Sequence, residues 1–169
     1  MFSVSPNGLI IPVNKAYSAS SNSKVRFAVW DVDTLGKPNQ MLEYKDISIG
    51  SFTPTISYYL NFDNNPQVNG DFFVGYKLYY NSPQDTFSVY MAPHRGIYGK
   101  NTLYVRKGEW KRPSEVLDDS LNTSLGIKII GCLVHVDIFK NGGAIIVYPN
   151  PANNNFTIEV NDYDYKTLD

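Results

Sequence analysis

Apolar side chains recur at every second position through most of this chain, a period that suits strands and excludes a mainly helical fold. From Lys24 to Trp30, Val25, Phe27 and Val29 alternate with Arg26, Ala28 and Trp30. Between Thr55 and Phe62 the repeating set is Ile56, Tyr58, Leu60 and Phe62, which share one face of an extended chain. From Asp71 to Tyr80 it is Phe72, Val74, Tyr76, Leu78 and Tyr80. Shorter runs follow at Phe87, Val89 and Met91, at Leu103 and Val105, at Leu125, Ile127 and Ile129, and at Val134, Val136 and Ile138. Most of these residues are β-branched or aromatic, the types a half-buried pleated surface favours. Turn formers separate the runs: Gly36-Lys37-Pro38-Asn39, Asp63-Asn64-Asn65-Pro66, Asn69-Gly70-Asp71, Asn81-Ser82-Pro83 and Asn141-Gly142-Gly143. No segment carries a helical apolar stripe, and only Ser114 to Ser120 has room for a single helical turn. Short alternating runs with turns roughly every 8–12 residues predict an all-β chain, an antiparallel β-sandwich.

Charge narrows the partners. Fifteen basic and sixteen acidic residues among 169 leave a net charge of −1, so nothing draws the chain as a whole to nucleic acid or an anionic bilayer. The longest apolar candidate for a membrane span, Ile127 to Phe139, is interrupted by Lys128, Gly131, His135 and Asp137. The first residues lack the basic start and apolar centre of a signal peptide, and the chain reads as an internal piece of a larger protein. The single cysteine, Cys132, excludes an internal disulfide framework, and two histidines argue against a zinc site built from His and Cys.

A seam follows Phe139. Lys140-Asn141-Gly142-Gly143 is too polar to continue a strand, and the apolar runs beyond it, Ala144 to Tyr148 and Phe156 to Val160, are too short to enclose a core. The expected division is a sandwich module over residues 1–140 and a linker with a short tail over residues 141–169.

The tail carries a recognisable phrase. Ile146-Val147-Tyr148-Pro149-Asn150-Pro151-Ala152-Asn153-Asn154-Asn155-Phe156-Thr157-Ile158 resembles the opening of the C-terminal sorting domain of the type IX secretion system of Bacteroidetes. That domain commonly begins Val-Tyr-Pro-Asn-Pro and continues through a polar turn to a Phe-x-Ile strand. Its physical content is a strand ended by a rigid Pro-x-Pro turn. The resemblance implies a sorting motif at Tyr148, Pro149, Asn150 and Pro151, and a secreted or cell-surface protein. Such domains are several times longer than this tail and end in further glycine-containing motifs, so the resemblance implies a truncated start. Upstream, Val29-Trp30-Asp31 with Gly36-x-Pro38, Val68-Asn69-Gly70-Asp71-Phe72-Phe73-Val74-Gly75-Tyr76 and Gly108-Glu109-Trp110 are similar to β-sandwich accessory modules of secreted peptidases and adhesins. That likeness implies a jelly-roll, galactose-binding-like architecture.

Catalytic chemistry is hard to place. Nucleophilic catalysis needs a nucleophile and an oriented base, and the only bases of the usual type are His94, in a loop, and His135, alternating with Val134 and Val136. Cys132 sits in an apolar run, where an inert buried thiol is the ordinary expectation. A glycosidase needs only two acids about 5–10 Å apart, but none of the sixteen stands out. Asp31-Val32-Asp33 begins like a calcium loop, yet Leu35 and Leu42 occupy positions where a helix-loop-helix site needs oxygen donors. No cofactor or metal is therefore expected, with calcium held by Asp31 and Asp33 at the rim of the sandwich as the alternative.

Aromatic residues are the one chemical excess, with thirteen Tyr, nine Phe and two Trp. Tyr44, Tyr59 and Tyr79 fall opposite the main apolar set, and Trp110 is flanked by Arg106, Lys107, Lys111 and Arg112. Flat rings with polar tips suit a sugar face or a partner protein. The expected function is a non-catalytic accessory or adhesion module of a larger secreted or surface protein, whose catalytic domain is a peptidase in the resemblance above. Its partners would be neighbouring domains of that protein and a glycan or host protein, with no nucleic acid. A carbohydrate-binding module is the alternative, and a carboxylate-based hydrolase or part of a secreted peptidase is the alternative of another class.

Overall fold

The structure is a computed structural model that describes residues 3–93, 102–116, 123–135, 144–148 and 157–161. In chain order the strands are β1 (Ser3–Tyr17), β2 (Lys24–Val32), β3 (Pro38–Ser48), β4 (Ser57–Asn61), β5 (Val68–Asn69), β6 (Phe73–Tyr79), β7 (Thr86–Val89), β8 (Val105–Lys107), β9 (Glu109–Lys111), β10 (Lys128–His135), β11 (Ala144–Tyr148) and β12 (Thr157–Asn161). Two short 3-10 turns, Ile49–Ser51 and Pro113–Glu115, are the only helical elements among the described residues. Every strand pairing among the described residues is antiparallel.

The fifteen-residue β1 organises the first sheet. It pairs with β10 through Ser3–Ile10, with β4 through Gly8–Pro12, with β5 at its start and with β7 at its end. Pro6, which has no N–H to give a ladder, sits where the register against β10 slips between Pro6 and Gly8. Opposite it, Gly131 allows the close approach, since a Cβ there would lie 2.8 Å from the Ser5 carbonyl oxygen. The second sheet has the order β3-β2-β6. Its β2–β3 hairpin turns at Gly36, whose φ of 75° favours glycine.

One core joins the two sheets. Leu9, Ile11 and Val13 of β1 and Val25, Phe27 and Val29 of β2 meet Phe52, Leu60, Phe62, Val68, Phe87 and Val89, all buried. Phe27 lies at the centre of an aromatic knot, with ring centroids 6.0 Å from Phe52, 6.0 Å from Tyr76 and 5.9 Å from Phe87. These spacings suit edge-on and tilted aromatic pairs. The alternation read from the sequence thus reaches the interior as expected in β2 and at Phe87 and Val89 of β7, whereas the inward set of β1, Leu9, Ile11 and Val13, is not among the runs read from the sequence.

There are three departures. Ile56, expected inward with Leu60 and Phe62, is 58% exposed, because it sits in the turn before β4, after Thr55 at φ 67°. Ala28 and Trp30, on the other face of β2, are buried as well, and Trp110 of β9 packs edge-on against Trp30 at 5.9 Å. Of the segment Ser114 to Ser120, Ser114 and Glu115 lie in the second 3-10 turn, and residues 117–120 lie outside the described residues. β11 and β12 pair with each other from Ala144↔Asn161 to Tyr148↔Thr157 as a separate two-stranded sheet. No helix among the described residues is long and apolar enough to cross a membrane.

Candidate functional site

A groove of about 1490 Å³ runs along β6. Every residue from Asp71 to Tyr79 lines it. Successive side chains of a strand point to opposite faces, so a cavity touching all of them runs along the strand's edge. β6 pairs with β2 on one side, in a register running from Phe73↔Trp30 to Tyr79↔Lys24, and no described strand lies on its other side. Val89 and Met91 in and after β7, with Leu125 and Ile127, supply a largely apolar far wall.

One end of the groove is closed by the β8–β9 strap. Gly108, at φ 81°, makes its tight turn. The Tyr104 hydroxyl donates to the Gly36 carbonyl at 3.2 Å, and the Tyr104 ring meets Phe73 edge-on at 5.3 Å. Guanidinium groups cover the outer rings: Arg112 lies 4.0 Å from the centroid of Tyr104 and Arg106 5.7 Å from that of Trp110. Gly75 leaves space for Trp30, whose ring would stand 3.4 Å from a Cβ at that position.

At the other end, Arg26 lies 3.9 Å from the Tyr44 ring and 5.3 Å from that of Tyr79. Its Nε and Nη2 donate to the two oxygens of Asp46 at 2.6 and 2.9 Å, and Lys24 adds an ion pair at 2.6 Å. The Arg26 hydrogen bonds, with help from Lys24, hold the Asp46 carboxyl down at about 2 against the opposing effect of burial. The hydrogen bond to Asp46 likewise raises the pKa of Arg26.

The structure brings only two of the four aromatic candidates to this groove. Tyr79 and Trp110 line it at opposite ends of β6. Tyr44 stands beside it on Arg26, while Tyr59 is on β4 in the other sheet, 68% exposed. Asp31 and Asp33 serve the β2–β3 turn. Asp33 Oδ1 accepts the Leu35 and Lys37 backbone N–H groups at 2.8 Å each, and Asp31 Oδ1 accepts that of Gln40. No three His, Cys, Asp or Glu side chains among the described residues form a metal-holding group. Tyr148 ends β11; Pro149, Asn150 and Pro151 lie outside the described residues, as does His94.

The most distinctive acid went unmarked in the sequence. Asp85, 4% exposed, accepts the Ser23 hydroxyl and the backbone N–H groups of Ala19, Asn81 and Ser82, the last three at 2.8, 3.0 and 2.8 Å. It ties the β1–β2 turn to the β6–β7 turn. The Ser23 hydrogen bond, reinforced by those backbone donors, lowers its carboxyl to about 2. Ala19 and Ser23 are more than sixty positions away, so no local motif signals the partnership.

A pH dependence follows. The folded chain keeps Asp46 and Asp85 ionised down to about pH 2, while the unfolded chain takes up protons below about pH 4. The unfolded state therefore binds more protons across that window, and stability falls as pH drops from about 4 to 2. Urea midpoints measured from pH 5 to pH 2 are expected to decline steeply, and the decline to flatten in the Asp46→Asn, Asp85→Asn double variant. An unchanged slope in that variant would show that other groups carry the dependence.

Comparison with protein families, curated proteins and solved structures found no match. Fold and groove together define the class of this chain by its own features: an all-β protein with a recessed, aromatic-lined strand edge.

Proposed function

We propose that this chain is a non-catalytic accessory or adhesion module, a jelly-roll-like sandwich of a larger secreted or cell-surface protein, that holds a partner in the β6 groove. The observation supporting this reading is the groove's lining. Trp30, Phe73, Tyr79, Tyr104 and Trp110 offer contact area, whereas Asp71 is the single carboxylate among the described lining residues. Among the described lining residues, one acid without a convergent second acid, histidine or cysteine suits binding better than acid–base or nucleophilic chemistry. Incubation with a panel of polysaccharides and peptides is expected to give no turnover. Turnover abolished by Asp71→Asn would overturn the reading.

The β11–β12 pair, with the Tyr148-Pro149-Asn150-Pro151 phrase starting at the end of β11, is proposed as the start of a sorting domain. Fractionation of the source cells is expected to place the protein at the surface or in the medium, and a cytosolic protein would refute it. Carbohydrate binding is the second reading, favoured by the position of Tyr79 and Trp110 in one groove. A glycan array with the wild type and the Trp110→Ala variant tests it.

A further inference from the structure

We propose that the edge of β6 left unpaired by the described strands is a strand-acceptor site, which binds an extended segment of a partner protein in which apolar and acidic residues alternate. The incoming segment becomes a fourth strand of the β3-β2-β6 sheet. This inference deepens the binding-module reading and rests on it.

The backbone supplies the first argument. In an antiparallel strand, backbone N–H and C=O groups point alternately to either side, so a strand paired only on one side presents the remainder as a ready template. β6 is paired with β2 alone among the described strands. Its seven residues extend roughly 23 Å, enough for a partner segment of six or seven residues.

The groove supplies the second. A slot that follows an open edge leaves room for a strand beside it, and the apolar far wall selects what that strand carries. Side chains directed inward alongside Val74, Tyr76 and Leu78 would face Val89, Leu125 and Ile127. Leu78 and Met91 are 36% and 45% exposed, so apolar surface on both sides of the slot awaits cover.

Charge supplies the third. On the outward row of β6, opposite Arg26, stands Lys77, whose Nζ lies 4.7 Å from the centroid of the Tyr79 ring. Arg106 lies at the strap end, and Asp71 is the one acid among the described lining residues. Arg26 is already matched by Asp46. The outward positions of an added strand therefore sit beside Lys77 and Arg106, where glutamate or aspartate is favoured and lysine is repelled. Main-chain bonds would give the affinity and the alternating side chains the specificity.

The test uses the full chain and fluorescein-labelled seven-residue peptides that alternate Val, Ile, Phe or Tyr with Glu, read by fluorescence anisotropy. Saturable binding is expected for at least one peptide. It should weaken at least tenfold when Glu is replaced by Lys, and also in the Lys77→Glu protein. N-methylation of the alternate peptide nitrogens that face β6 should abolish binding, while methylation of the other set should leave it intact. Amide resonances of Phe73–Tyr79 should shift on titration. Equal tolerance of both methylation patterns, or no binding by any peptide at 1 mM, overturns the proposal. Saturable glycan binding with shifts confined to Tyr79 and Trp110 also overturns it, while leaving the non-catalytic reading intact. Catalytic turnover would instead remove that underlying reading.

Discussion

Replacing Phe27 by alanine is expected to cost about 3–5 kcal/mol of folding stability, the range for emptying a large aromatic side chain from a packed core. Phe27 is fully buried and its ring meets Phe52, Tyr76 and Phe87 within 6.0 Å. Those neighbours come from the segment after the first 3-10 turn, from β6 and from β7, so the one ring joins both sheets. Phe52 and Phe87 also pack on each other at 4.9 Å, which limits how far they can move into the space left behind. Equilibrium urea unfolding measures the loss. Tyr59→Ala, at an exposed position in β4, should change stability by no more than about 0.5 kcal/mol. A Phe27→Ala loss as small as that would mean that the two sheets do not share this core.

Gly8→Ala is expected to destabilise the chain by at least about 2 kcal/mol, because the strands leave no room for a side chain. A Cβ at Gly8 would lie 2.2 Å from the Leu60 carbonyl oxygen and 3.2 Å from Asn61 Cα. Both obstacles are backbone, so no rotamer change relieves them. β4 is held in place by the register Gly8↔Asn61 and Leu9↔Leu60, and the Phe62 N–H donates to the Asn7 carbonyl at 2.8 Å. Gly50→Ala is the matched control: its nearest neighbour would be Ser48 Oγ at 3.9 Å, and its cost should be small. Equal unfolding midpoints for the two variants would contradict the close approach of β1 and β4.

The same contrast separates what was legible in the residues from what was not. Val25, Phe27 and Val29 announce their inward face because a strand alternates its side chains whatever it packs against. Arg26 announces an outward face for the same reason. Nothing in that periodicity says that Trp30 on the outward row will be covered by Trp110, or that Asp85 will collect donors from a turn more than sixty residues earlier. The aromatic candidates show the limit well. Tyr44, Tyr59 and Tyr79 have the same local pattern, yet only Tyr79 lies in the groove, because Tyr59 belongs to a strand in the other sheet.

Alternation, β-branched content and turn residues by themselves determined that this chain is all-β and which face of β2 turns inward, since these follow from backbone geometry one residue at a time. Sheet order decided the rest. Leaving β6 at an edge, setting the strap across Trp30 and bringing Asp85 to Ser23 all require segments far apart in the chain to meet. Such meetings depend on how whole sheets pack, which no local pattern encodes.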